Sequence, residues 1–189
     1  MEALRRTTCL MCRPGAEWAR IAREPATVDA LLRHYILPLS ALTPIATFVG
    51  MKVFDRSWDA DQGYLVPPDQ IFNAAATTFF GIVGSIFALA AIMALIAPMY
   101  RSKCDYVSAL KVAAHGASPL LVSGAMLVLP VMIVVSMAAL CYTLFLYYVG
   151  AATVLRIRED QAEFVGVSLL LLTFVSMMAG MAVAGAGLI

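Results

Sequence analysis

From Ile71 to Tyr100 the chain runs for 30 residues without a formally charged side chain, and over 112–155 it runs for 44 with only the titratable His115. Runs of this kind constrain a fold strongly. About 20 apolar residues in helical conformation cross the hydrocarbon core of a bilayer, and lipid, which offers no hydrogen bonds, requires the backbone to satisfy itself. The first run is one long span and the second must be two. Charge-free runs over 34–51 and 164–189 bring the expected total to five, at about 34–54, 71–99, 109–129, 132–154 and 164–187. Composition agrees: 62% of residues are hydrophobic, 13% are charged, and mean hydropathy is +0.87. Soluble domains are nearer half apolar and a quarter charged. The expected fold is therefore all-α, a polytopic transmembrane helical bundle of five spans over 34–189, preceded by an interfacial segment over 1–33.

That segment holds six arginines and predicts a short amphipathic helix around Pro14 to Arg23. Pro14 suits a first helical position, Glu17 suits the first turn, and Trp18, Ile21 and Ala22 share one face by three- and four-residue spacing. That face is expected to lie on the membrane, since indole and guanidinium groups favour the headgroup layer. Pro25 ends the helix, and Thr27 with Asp29 can start the next. Pro38 and Pro44 should kink the first span or open it to a partner, Pro98 marks the end of the second, and Pro130 marks the hairpin between the third and fourth. The segment 55–70, with four aspartates, reads as an exposed loop.

Basic residues set the orientation. With the amino terminus in the cytoplasm, 11 of the 13 lysines and arginines fall on that side and only Lys52 and Arg56 lie outside. This predicts a multi-pass protein of the cell inner membrane with its carboxyl terminus outside. No short apolar core with a cleavage site stands at the amino terminus, so the first span is expected to direct insertion. A net charge of +1 leaves no field to hold nucleic acid.

Few residues carry chemistry. Cys9 and Cys12 form a C-x-x-C, but no second pair completes a zinc site; the alternatives are a half-site shared between chains and two ordinary thiols. His115 lies deep in the third span, four residues after Lys111. Ionisable groups at such depth face a protein interior or a wet cavity. Its small neighbours Ala113, Ala114, Gly116, Ala117 and Ser118 would let another helix approach closely, so the imidazole either bonds a neighbouring hydroxyl or a carbonyl freed by Pro119, or serves as a proton or ligand site. Tyr142, Phe145, Tyr147 and Tyr148 read as an aromatic belt or as a lipid or small-molecule groove. Gly81-x-x-x-Ser85 and Gly180-x-x-x-Ala184 favour close helix packing. No intramembrane carboxylate pair, zincin motif, phosphate loop or nucleophile elbow is visible, so neither an enzyme nor a cofactor is expected. The expected partners are lipid and other membrane proteins, or a second copy, in the manner of a scaffold or accessory subunit. The alternative is a small-solute or ion transporter. Candidate functional or packing residues are Trp18, Pro38, Lys111, His115, Pro119, Tyr147 and Tyr148.

Several motifs occur in a recognisable order: Arg13-Pro14 with Ala16-Glu17-Trp18; Ile21-Ala22 followed by Glu24-Pro25-Ala26-Thr27-Val28; Tyr35 with Leu37-Pro38-Leu39, leading to Pro44; residues 95–98; Ala109-Leu110-Lys111-Val112-Ala113-Ala114 with Pro119; and Leu144-Phe145-Leu146-Tyr147-Tyr148-Val149-Gly150 before a charged turn. This order resembles the bacterial branch of the Yip (Ypt-interacting-protein) domain family nearly end to end. Tyr100-Arg101-Ser102-Lys103-Cys104 replaces a Gly-rich turn usual there, and His115 replaces an aromatic. The resemblance implies a five-span membrane domain with a cytoplasmic amino terminus. In eukaryotic relatives it implies Rab-type GTPase binding in vesicle traffic, a role that does not carry over to the bacterial branch.

Overall fold

The computed structural model describes residues 2–58, 68–102, 104–128, 133–157 and 160–185; most of the aspartate-rich loop, Pro130 and the last four residues lie outside them. All regular structure in the described residues is helical. Two helices precede the bundle, α1 (Glu2–Cys12) and α2 (Pro14–Arg23), with Pro14 at the first position of α2. Thr27 then caps α3 (Val28–Leu31) by accepting from the Ala30 N–H at 3.2 Å.

Proline shapes the first hydrophobic run as expected. A wide π turn covers Leu32–Ile36, followed by α4 (Leu37–Ser40), a turn at Ala41 and α5 (Leu42–Trp58). Pro38 and Pro44 supply no N–H to the carbonyls one turn earlier, so the ladder must widen or break there. The second run forms α6 (Pro68–Ile96), a 29-residue helix closed by a 3-10 turn at Ala97–Tyr100 that contains Pro98. Ile86, Leu89, Ala90, Met93 and Ala97 are its buried stripe, spaced so that one helical face meets the core.

The third run differs from the sequence expectation of one continuous span. It divides into α7 (Tyr106–Gly116), α8 (Ser118–Gly124) and a 3-10 turn, Ala125–Val128. Pro119 is the cause: it offers no donor to the His115 carbonyl, and the Ser118 hydroxyl donates to that carbonyl instead. Asp105 caps α7, accepting from the Ser108 N–H at 3.3 Å and from its hydroxyl. Those bonds, the hydroxyl first, hold the Asp105 carboxyl below its ordinary value despite partial burial. From Ala109 to Gly116 every residue of α7 is buried, which makes this short helix the pillar of the bundle.

The last two helices are α9 (Ile133–Thr153) and α10 (Gln161–Gly185). α7 and α9 are antiparallel, since Val112 meets the space beside Gly150 and Tyr147 fills the space beside Gly116. Tyr35 meets Ser118 and Thr43 fills the space beside Gly124, so the first run lies parallel to the third. Ile71–Tyr100, Val134–Thr153 and Gln161–Met181 are long and apolar enough to cross a membrane. Only 17% of the most apolar window of α10 is buried, so most of that helix faces lipid or another protein.

Candidate functional site

The site is the seam where the amino-terminal helices meet α7. Trp18, expected with Ile21 and Ala22 to rest on the membrane, is instead fully buried in protein, with Ile21 beside it and Ala22 exposed. The reason is a socket in α9. Gly150 has no side chain, and the indole occupies the space a methyl group there would need, with Val112 closing the other side.

Lys111 fixes the same helix from below. Its ammonium donates to the Ile21 carbonyl at 3.2 Å and to the Glu24 carbonyl at 2.6 Å. The last carbonyls of α2 have no partner inside the helix, and a cation at a C-terminus meets both that need and the negative end of the dipole. Tyr142 of α9 does likewise for α1, donating to the Met11 carbonyl at 2.7 Å. Among charged side chains, Arg6 binds both Glu24 and Glu17, and Arg20 reaches Glu24 at 3.0 Å. Partial burial would raise the Glu24 carboxyl, but the bonds and charge of Arg6, then of Arg20, outweigh it and hold it below 4.5.

Behind this lies a chain of hydroxyls. Thr7 meets the Tyr35 hydroxyl at 3.2 Å, Tyr35 meets Ser118 Oγ at 2.6 Å, and Ser118 continues to the His115 carbonyl. The His115 ring stacks on Tyr35 with centroids 4.2 Å apart and meets the edge of Trp18 at 6.3 Å. Its Nδ1 bonds the Lys111 carbonyl at 2.9 Å; a carbonyl only accepts, so Nδ1 carries the proton and Nε2 presents a lone pair. Neither His115 Nε2 nor Trp18 Nε1 has a hydrogen-bond partner among the described residues. A cavity of about 240 Å³ opens here between Arg6, Glu24, His34, Tyr35 and His115.

Of the residues singled out from sequence, Trp18, Lys111, His115, Pro119 and Tyr147 gather around α7, Tyr147 donating to the Ala113 carbonyl at 3.3 Å. Pro38 and Tyr148 are exposed elsewhere. Sequence reasoning did not select Thr7, Tyr35, Ser118 or Gly150, although Tyr35 and Gly150 stand within the family-like motifs. Cys9 and Cys12 are exposed free thiols, and no group of three metal-ligating side chains occurs among the described residues.

Parts of several motifs that carried the resemblance thus meet at one seam, and the whole chain can be compared with known proteins. Residues 8–180 match the Yip1 domain. The chain belongs to the Yip1 domain family. Curated relatives of this Yip1-domain chain include the inner membrane protein YohC of Escherichia coli K12 and its counterpart in the O6:H1 strain. Each is 24% identical over 157 residues, covering 80% of either chain. No solved structure matches significantly. Family and relatives make this a multi-pass, inner-membrane type of protein whose apolar helices sit in the bilayer.

Proposed function

We propose that this Yip1-domain protein is a non-enzymatic scaffold or accessory subunit that holds other membrane proteins, or a second copy of itself, against its outer helix faces. One contrast carries the reading. Gly116, Gly124 and Gly150, on interior faces, each receive a neighbouring side chain, whereas Gly81 and Gly84 on α6 and Gly166 and Gly180 on α10 have nothing within 4 Å. In lipid, helices associate where small residues let backbones approach. The arrangement is five crossings, with the broken third run spanning as α7 and α8, the amino terminus cytoplasmic and the carboxyl terminus outside. The parallel register of the first and third runs and the antiparallel register of α7 and α9 support it, as does the distribution of arginines. Native mass measurement after gentle solubilisation tests the function: an oligomer or a bound protein is expected, reduced by Gly84→Leu with Gly180→Leu, and a lone monomer overturns the reading.

The unpartnered Nε2 of His115 beside a cavity favours a second reading, a small-solute or ion transporter. Flux in reconstituted vesicles that is unchanged by His115→Ala ends it.

A further inference from the structure

A second groove, of about 670 Å³, lies where α2, the turn after α6 and the turn after α9 converge, and it is lined by Arg23, Arg101 and Arg156. All three arginines are exposed, and among the described residues none of them forms an ion pair and no carboxylate lines the groove. Among the described residues, Asp105 caps α7, Glu24 beside Arg23 is held by Arg6 and Arg20, and Asp160 and Glu163 line a separate pocket that Arg101 also borders. Buried contacts bring the three together from remote parts of the sequence. The Ser102 hydroxyl donates to the Leu155 carbonyl, which clamps the turn bearing Arg101 to the turn bearing Arg156. Lys111, through the Ile21 and Glu24 carbonyls, fixes the end of α2 that bears Arg23.

Two of these arginines stand in the left-handed region, Arg101 at φ 57° and Arg156 at φ 58°. Each follows a helix end, where glycine is the ordinary occupant. A long cation kept in a backbone conformation it disfavours, twice in one groove, is the kind of outlier that points to a function for the side chain.

We propose that this groove binds the phosphate of an anionic phospholipid headgroup, such as phosphatidylglycerol or cardiolipin. Its level selects a lipid over a free anion. The three apolar helices long enough to cross end or begin at Tyr100, Thr153 and Gln161, so the groove stands at the headgroup layer. Leu95 near the end of α6 and Met99 in the turn after it are exposed, 76% and 80%, as residues that face acyl chains would be. Basic pockets between the ends of spans hold phosphate headgroups by paired, charge-assisted hydrogen bonds. The site does not depend on the scaffold reading.

The test is native mass spectrometry of the full chain in detergent with equimolar phosphatidylglycerol and phosphatidylcholine. The wild type is expected to retain phosphatidylglycerol in roughly tenfold preference. Arg101→Gly with Arg156→Gly should bring the two lipids near parity, because glycine keeps the left-handed backbone and removes only the cations. Arg33→Gln, whose side chain pairs with Asp29 away from the groove, should leave the preference intact. The proposal is overturned by a wild type without preference, by a double glycine variant that keeps it, or by an Arg33→Gln loss of equal size. Full displacement of the lipid by millimolar inorganic phosphate would also overturn it, by making this a free-anion site.

Discussion

Lys111 illustrates how a buried cation can be structural. Its ammonium meets two carbonyls at the end of α2, so replacing it by the similarly shaped but apolar methionine strands both. Lys111→Met is expected to cost about 2 kcal/mol and to speed hydrogen exchange over 14–24, with α9 unchanged. Exchange over 14–24 that stays at the wild-type rate would contradict the capping role. Gly150 is the matching test of the indole socket. Gly150→Val should cost roughly 1–3 kcal/mol and expel Trp18 from its site. In a Trp58→Phe background, Trp18 emission should be blue-shifted and shielded from aqueous quenchers, and Gly150→Val should red-shift and expose it. Lys111 and His115 were visible in sequence because ionisable groups within an apolar run are rare. Thr7 and Ser118 were not, since a lone hydroxyl in an apolar run gives no sign of which partner it will meet.

At the scale of elements, the amino-terminal pair α1 and α2 is pinned by charge as well as by packing. Because the folded Glu24 carboxyl lies below its ordinary value, its contribution is complete above pH 4.5 and is lost as pH falls through the lowered value. Quenching of Trp18 should therefore be flat from neutral pH down to about 5 and should rise below the ordinary carboxylate range. Glu24→Gln should give greater quenching at neutral pH and a flatter profile. The hydroxyl chain joins α1, the first run and α8 at one point. Tyr35→Phe and Ser118→Ala should each cost about 1 kcal/mol, while the double variant costs less than their sum, since the Tyr35–Ser118 bond is lost in both. Thermal midpoints in detergent measure this, and strict additivity would show that the two hydroxyls act separately. Prolines announced where helices break, yet the split into α7 and α8 was not foreseen. Pro119 occurs within an otherwise apolar helical pattern, and a membrane helix can carry a proline as a mere kink when neighbours satisfy the freed carbonyl.

For the whole molecule, the proposed five crossings would place the two ends in opposite compartments. In spheroplasts, an impermeant thiol reagent should leave the wild type unlabelled, because Cys9, Cys12 and Cys104 then face the cytoplasm and Cys141 lies within a span. It should label Leu188→Cys. Labelling of the wild type, or none in the variant, overturns the arrangement. The membrane class, the helix-only fold and the family were legible because apolar run length and motif order are properties of the chain alone; water or lipid acts on each run before any run meets another. Where Trp18 would lie was decided by tertiary structure. Periodicity shows that Trp18 and Ile21 share an apolar face but does not say whether lipid or protein covers it, and only a bare Gly150 opposite, with Lys111 in reach of the last carbonyls of α2, turns that face inward. The groove of Arg23, Arg101 and Arg156 is likewise a product of folding, since charges remote in sequence acquire a common field only when the turns bearing them are brought together.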